Sequence, residues 1–176
     1  MTFVPNNGLE PSRRLGNGLG LTACVLAMAY ALYVQEVQGL EPCHLCIFQR
    51  VVMISLGVVF FVACAHDPRR GGSRGYAFAL GLLSLCGCLI AGRHVWIQAQ
   101  PAGSVGACGA SLEFMFQMLP PSEVLLRVFR GGAECQKIDW QFLGLAMPVW
   151  TLGLFLSLGV YGVYNNWRKA YRTRRF

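Results

Sequence analysis

The chain has 176 residues, 55% of them apolar and only 13% charged, about half the charged share of a soluble domain. A mean hydropathy of +0.46 excludes a disordered chain and argues against a soluble globular one. The 15 basic residues outnumber the 8 acidic ones. In so apolar a chain that excess flanks membrane spans, so the expected surroundings are a lipid bilayer and no nucleic acid.

Four stretches are long and apolar enough to cross a hydrocarbon core, which takes about 20 helical residues. In chain order they are about Leu15–Val37, Ile47–Ala65, Tyr76–Ile97 and Phe142–Tyr164. Backbone groups in lipid must be bonded within their own segment, and nothing alternates as a barrel strand does, so all four are expected to be helices. Arg13 and Arg14 precede the first span, Arg69, Arg70 and Arg74 fill the second link, and Arg168, Lys169, Arg172, Arg174 and Arg175 follow the last. Spans that alternate put all of these on one side, which is the cytoplasmic side. Both termini are then cytoplasmic, and the two other loops, about 38–46 and 98–141, face outward. Ala27-Met28-Ala29 has the form of a signal cleavage site and Arg13-Arg14 that of a twin-arginine signal. The apolar stretch runs on past the first, and topological anchoring explains the second more simply.

The cysteines sort by side. Cys24, Cys64, Cys86 and Cys88 lie within spans and read as small hydrophobes. Cys43, Cys46, Cys108 and Cys135 fall in the outward loops, two in each, where disulfides persist. Cys43-His44-Leu45-Cys46 is a C-x-x-C, a spacing shared by exchange-active thiols and by zinc knuckles. Structural zinc usually takes two knuckles, whereas Cys108 and Cys135 stand 27 residues apart with no histidine nearby, so no metal is expected. Inert structural disulfides are the other plain reading.

Context favours chemistry. Glu41-Pro42 holds the chain extended before the pair. Cys46 meets the amino end of the second span, where unpaired N–H groups and the helix dipole favour a thiolate. Arg50 lies one turn deeper on the same face. A cation inside a span marks function by default, although an arginine can also snorkel to the headgroups. With no acidic residue within a turn on its own helix, Arg50 needs an acceptor from elsewhere. Arg93 and His94 end the third span on the outward side, either facing the same cavity or forming an interfacial pair beside Trp96.

In the second outward loop, Pro101, Gly103 and Gly106 lead to Cys108, and Pro120-Pro121 breaks an apolar run. Ser122–Arg130 then carries Val124, Leu125, Val128 and Phe129 on one side of a short helix and Glu123, Arg127 and Arg130 on the other, ended by Gly131-Gly132. Such a helix is expected to lie in the membrane interface, with Cys135 directly after it. A loop this long without a span usually has a functional cause.

Pro42-Cys43-His44-Leu45-Cys46-Ile47-Phe48-Gln49-Arg50, then Cys108 and Cys135 in one loop, then Asp139-Trp140-Gln141-Phe142-Leu143-Gly144, resemble the DsbB-type disulfide bond formation proteins over about residues 12–165. The resemblance implies a four-helix bundle in the bacterial inner membrane that reoxidises a periplasmic DsbA-type thiol oxidase and delivers the electrons to the membrane quinone pool, ubiquinone or menaquinone. It assigns quinone reduction to Cys43 and Cys46, the shuttle to the partner to Cys108 and Cys135, and quinone contact to Arg50. Gln49 departs from members with an acidic residue there. The quinone-contacting histidine of enteric members falls near His94 counted back from Cys108, and near Pro101 counted on from Arg93.

Two other classes compete. A four-span scaffold with permanent outward disulfides predicts inert cysteines and no role for Arg50. A reductase that imports electrons needs a cysteine relay inside the membrane. Cys86-Gly87-Cys88 points its side chains about 200° apart on a helix, which suits no such relay.

Overall fold

The structure, a computed structural model, describes residues 13–66, 72–101 and 117–172. Four long helices dominate it: α1 (Arg13–Gln38), α2 (His44–His66), α3 (Gly72–Gln98) and α6 (Met147–Arg172). Each is long and apolar enough to cross a membrane. Between α3 and α6 come α4 (Pro121–Arg130), α5 (Ala133–Gln136) and the two-residue strands β1 (Gln141–Phe142) and β2 (Leu145–Ala146). The architecture is an all-α four-helix membrane bundle, in which α1 packs on α2, α2 on α3, α3 on α6 and α6 back on α1.

The helices are apolar on both faces, as lipid-embedded helices must be. Leu56, Phe60, Leu80 and Phe155 are fully buried between them, while Phe61, Phe78, Leu89 and Val160 point outward. With lipid as apolar as the core, association depends on close packing at small residues. A methyl group built on Gly87 of α3 would land on the Phe155 ring of α6, and one on Gly20 of α1 on the Phe60 ring of α2.

Polar bonds tie the end of the bundle that holds the start of α1. Buried Asn17 of α1 accepts from the amides of Asn165 and Asn166 on α6, at 3.1 and 2.9 Å. The Tyr161 hydroxyl donates to the Gly16 carbonyl at 3.0 Å. Nearby, Arg74 lies over the Trp167 ring.

The chain departs from the hydropathy reading at the fourth stretch. Phe142 does not begin a helix: Gln141–Phe142 pairs antiparallel with Leu145–Ala146, and α6 starts only at Met147. The two turn residues, Leu143 and Gly144, have φ of 53° and 76°, as a type I′ hairpin turn requires. Residues apolar enough to extend a span thus form a ribbon, because the turn commits them. After the first loop, α2 starts at His44, three residues before the apolar run, and draws the C-x-x-C into its first turn. The short helix of the long loop is α4; Pro121 opens it and Gly131, at φ 78°, follows its end. Val124 and Val128 are buried against the bundle, whereas Phe129, expected on the same face, remains 37% exposed.

Gly87 yields the first prediction. Gly87→Ala should displace the Phe155 ring and cost about 1–3 kcal/mol, lowering the thermal midpoint in detergent. Gly92→Ala, where no atom lies within 4 Å of the added carbon, should be neutral or mildly stabilising. Equal midpoints for the two variants would show that the α3–α6 seam tolerates the added atom.

Candidate active site

The site forms where the loops meet the helix ends. Gly39, at φ 65°, ends α1 and turns the chain toward Pro42. The Cys43 carbonyl accepts from the Ile47 N–H at 3.1 Å, which makes Cys43 the residue that caps α2. Cys46 therefore sits in the first turn, among backbone N–H groups with no intrahelical acceptor. The Cys43 thiol donates to the Cys46 sulfur at 3.2 Å, so the two are in contact as free thiols.

Of Arg93 and His94 in the last turns of α3, only His94 turns inward. It is 2% exposed, with Nε2 at 3.7 Å from the Cys43 sulfur and Nδ1 at 3.9 Å from that of Cys46. Nε2 also lies 3.2 Å from the Cys135 carbonyl and Nδ1 3.3 Å from the Gln49 amide nitrogen. A carbonyl only accepts, so Nε2 carries the proton and Nδ1 is left to accept from Gln49. Thr151 of α6 completes the set by donating to the other end of that amide at 2.9 Å. Arg93 turns away and donates to the Phe129 carbonyl at the end of α4 at 2.9 Å. Trp96 faces outward.

Arg50 finds its acceptors on α1. Its guanidinium donates to Gln35 Oε1 at 2.5 Å and to the Ala31 carbonyl at 3.2 Å. Two of its five N–H donors are so committed. Cys46, Arg50 and His94 border a half-enclosed cavity walled largely by apolar residues of α1, α2 and α6, among them Met28, Val34, Met53 and Phe155.

Cys135 reaches the site from α5. The segment is stapled to the end of α3: the Gln136 amide donates to the Gln100 and Pro101 carbonyls at 3.1 and 2.8 Å. The Cys135 side chain is fully buried and bonded to Cys43. That bond, then burial, holds its thiol well above the ordinary cysteine range, so it is protonated; backbone bonds with Leu45 and Gly132 oppose the shift without reversing it. Cys108 lies outside the described residues. The fold thus gathers Cys43, Cys46, Cys135, Arg50 and His94 at one place. Of the span cysteines, Cys24 is buried in the core and Cys86 faces outward.

Sequence reasoning missed Gln49 and Thr151 as members of the site. Gln49 had a usable signal, since it follows Cys46 by three residues and shares its helix face. Thr151 had none, being 102 residues away.

Comparison with known proteins agrees with this picture. Residues 13–165 match the family described as "Disulfide bond formation protein DsbB". Relatives called "Disulfide bond formation protein B" include one from Nitrosococcus oceani, 47% identical over 84% of this chain and 87% of its own length. One from Acinetobacter baumannii is 45% identical over 84% and 86%. One from Methylococcus capsulatus is 41% identical over 89% and 96%.

The contact between Cys135 and Cys43 can be tested without any partner. In a Cys46→Ala Cys108→Ala chain, mild oxidation should join Cys43 to Cys135 within one molecule, read by peptide mapping under non-reducing conditions. Recovery of both as unmodified thiols would mean that the α5 segment does not stay where the structure has it.

Proposed function

Because the chain belongs to the DsbB family of disulfide bond formation proteins, and is thus an oxidoreductase, we propose that it reoxidises a periplasmic DsbA-type dithiol oxidase and passes the electrons to a membrane quinone, ubiquinone or menaquinone. The observation that carries this reading is the meeting of Cys135 with Cys43 at the head of α2, beside an apolar cavity bordered by Arg50. Electrons move between disulfides only where sulfurs can meet.

In this reading the partner's thiolate attacks Cys108 of a Cys108–Cys135 disulfide. The S–S bond breaks, Cys108 joins the partner, and Cys135 leaves as a thiolate. Burial disfavours that charge, and a thiolate of high proton affinity is the stronger nucleophile. It attacks Cys43 of a Cys43–Cys46 disulfide, forming Cys43–Cys135 and expelling Cys46 into the first turn of α2, where backbone N–H groups receive the charge. The partner's second thiol displaces Cys108 and leaves with its disulfide formed. Cys108 then recovers Cys135, and Cys43 is released. Two electrons now reside on the Cys43–Cys46 dithiol.

The cavity suits a quinone. It offers an apolar interior for ring and tail and an arginine at the cysteine end, with N–H donors beyond the two used on α1. A bound quinone supplies the acceptor for two electrons and two protons that returns the pair to a disulfide. Arg50 would hold a quinone oxygen near Cys46, and His94 would take up and release a proton within reach of both sulfurs. The basic flanks of α1 and α6 favour an inner-membrane orientation with cytoplasmic termini and the cysteine loops in the periplasm. α4 would lie along the outer interface, its Val124 and Val128 side on the bundle.

Two variants test the roles of the shuttle pair. Cys135→Ala should accumulate a mixed disulfide between Cys108 and the partner on non-reducing gels, and Cys108→Ala should yield none. Dependence of the trapped complex on Cys135 instead would reverse the order of transfer. Replacing Cys24, Cys64, Cys86 and Cys88 together should keep partner oxidation within about tenfold, ~1.4 kcal/mol of barrier.

Arg50 separates this function from the scaffold alternative. Arg50→Met should raise the apparent quinone KM by an amount worth about 1.5–3 kcal/mol, and Arg50→Lys, which lacks the planar fork, by less. Both should still insert and react with the partner. An unchanged KM with collapsed abundance would make the bonds to Gln35 and Ala31 the whole role of Arg50.

A further inference from the structure

Among the described residues, one group of soft donors is close enough together to hold a metal ion. The sulfurs of Cys43 and Cys46 and a ring nitrogen of His94 all lie within 4.8 Å of one another. We propose that in its reduced state this trio binds one soft divalent cation of the zinc class, Zn(II) or Cd(II). The chain then carries a metal-sensitive inhibitory site that exists only in the dithiol form.

Donor type and spacing both fit. Zinc bonds of about 2.3 Å to sulfur and about 2.0–2.1 Å to nitrogen, set tetrahedrally, separate neighbouring donors by about 3.5–3.8 Å. Here the two sulfurs are 3.2 Å apart, the Cys46 sulfur lies 3.9 Å from Nδ1 and the Cys43 sulfur 3.7 Å from Nε2, and one atom from each residue falls within 4.8 Å of the others. Closing on one ion therefore takes a spread of the two sulfurs by about half an ångström and a turn of the imidazole that brings Nδ1 toward Cys43. The Cys135 carbonyl already holds Nε2 as a donor, the outer bond that a ligating histidine usually has. Nδ1 is then the ligating nitrogen, and the Gln49 amide that donates to it must give way. Three protein ligands leave the fourth position to a water.

Spacing rules could not include His94, which follows Cys46 by 48 residues and arrives from another helix. Binding moves no electrons: two thiol protons leave and two sulfur–metal bonds form. A disulfide offers no thiolate, so metal binding and the Cys43–Cys46 disulfide exclude each other. Excess metal should accordingly stall the chain in its reduced form.

The test uses the full-length chain in detergent, reduced and freed of quinone, titrated with CdCl₂ and followed by thiolate-to-cadmium ultraviolet absorbance, with ZnCl₂ as competitor. One cation per chain is expected, with affinity about tenfold or more lower in His94→Gln. Uptake should vanish in Cys43→Ser Cys46→Ser and in the oxidised chain, and persist in Cys108→Ser Cys135→Ser. A second measurement needs no variant: ZnCl₂ added to membranes holding the wild-type chain should slow maleimide labelling of Cys43 and Cys46 about tenfold, reversibly with EDTA. Uptake that survives loss of Cys43 and Cys46, affinity unchanged in His94→Gln, dependence on the other cysteine pair, or labelling indifferent to zinc would each overturn the proposal. Neither quinone nor partner is present in the titration, so its failure leaves the proposed electron route untouched.

Discussion

One imidazole ties the loop end of this protein together. His94, carried on the last turns of α3, touches both sulfurs of the C-x-x-C on α2, accepts from Gln49 on the same helix, and donates to the carbonyl of Cys135. Through Gln49 and Thr151 the chain of bonds continues to α6. A buried imidazole with neither nitrogen satisfied would cost about 1–3 kcal/mol per missing bond, so the ring fixes its neighbours as much as they fix it. Three of the four long helices and the Cys135 segment are thereby held to one register around the sulfurs.

The neighbours of that ring are amides and a hydroxyl rather than carboxylates. An acid at position 49 would bind a protonated imidazole strongly and hold it charged. A glutamine can present either end of its amide, and Thr151 can donate or accept to match. The site therefore satisfies both protonation states of His94 without burying a fixed negative charge beside the two sulfurs. Arg50 follows the same economy: its partners on α1 are Gln35 and a backbone carbonyl, which orient the guanidinium while leaving its charge uncompensated. The positive charge that borders the cavity is in this way preserved.

Most of this fold is legible in the sequence, because a lipid-spanning helix announces itself by length and apolarity alone. The exception is instructive. Phe142–Ala146 is as apolar as a span, and hydropathy cannot tell a ribbon from a helix there. The signals that could were local: Gly144 at the turn and Pro148 at the second position of α6, a residue suited to a helix start. At the site, sorting the cysteines by side of the membrane separated Cys43, Cys46 and Cys135, which the structure gathers, from the four cysteines in the spans. The partners of Arg50 and the place of Thr151 were hidden for one reason. They belong to other helices, and nothing in a linear pattern states which faces will meet.

The asparagine cluster at the far end has a mechanical consequence. Asn17, Asn165, Asn166 and the Tyr161 hydroxyl pin α1 to α6 at one extremity, nearly the whole length of a 26-residue helix from the cysteines. At 1.5 Å per residue that arm is about 39 Å long. A tilt of about 3° about the pin would carry the far end of α1 sideways by about 2 Å, and residues 10 to 14 positions from Asn17 by about 1 Å. The wall of the cavity formed by Ala27, Met28 and Ala31 lies on that arm. The side-chain amides thus set the angle of α1 against α6 at one end, and the bonds of Arg50 to Gln35 and Ala31 hold α1 to α2 at the other.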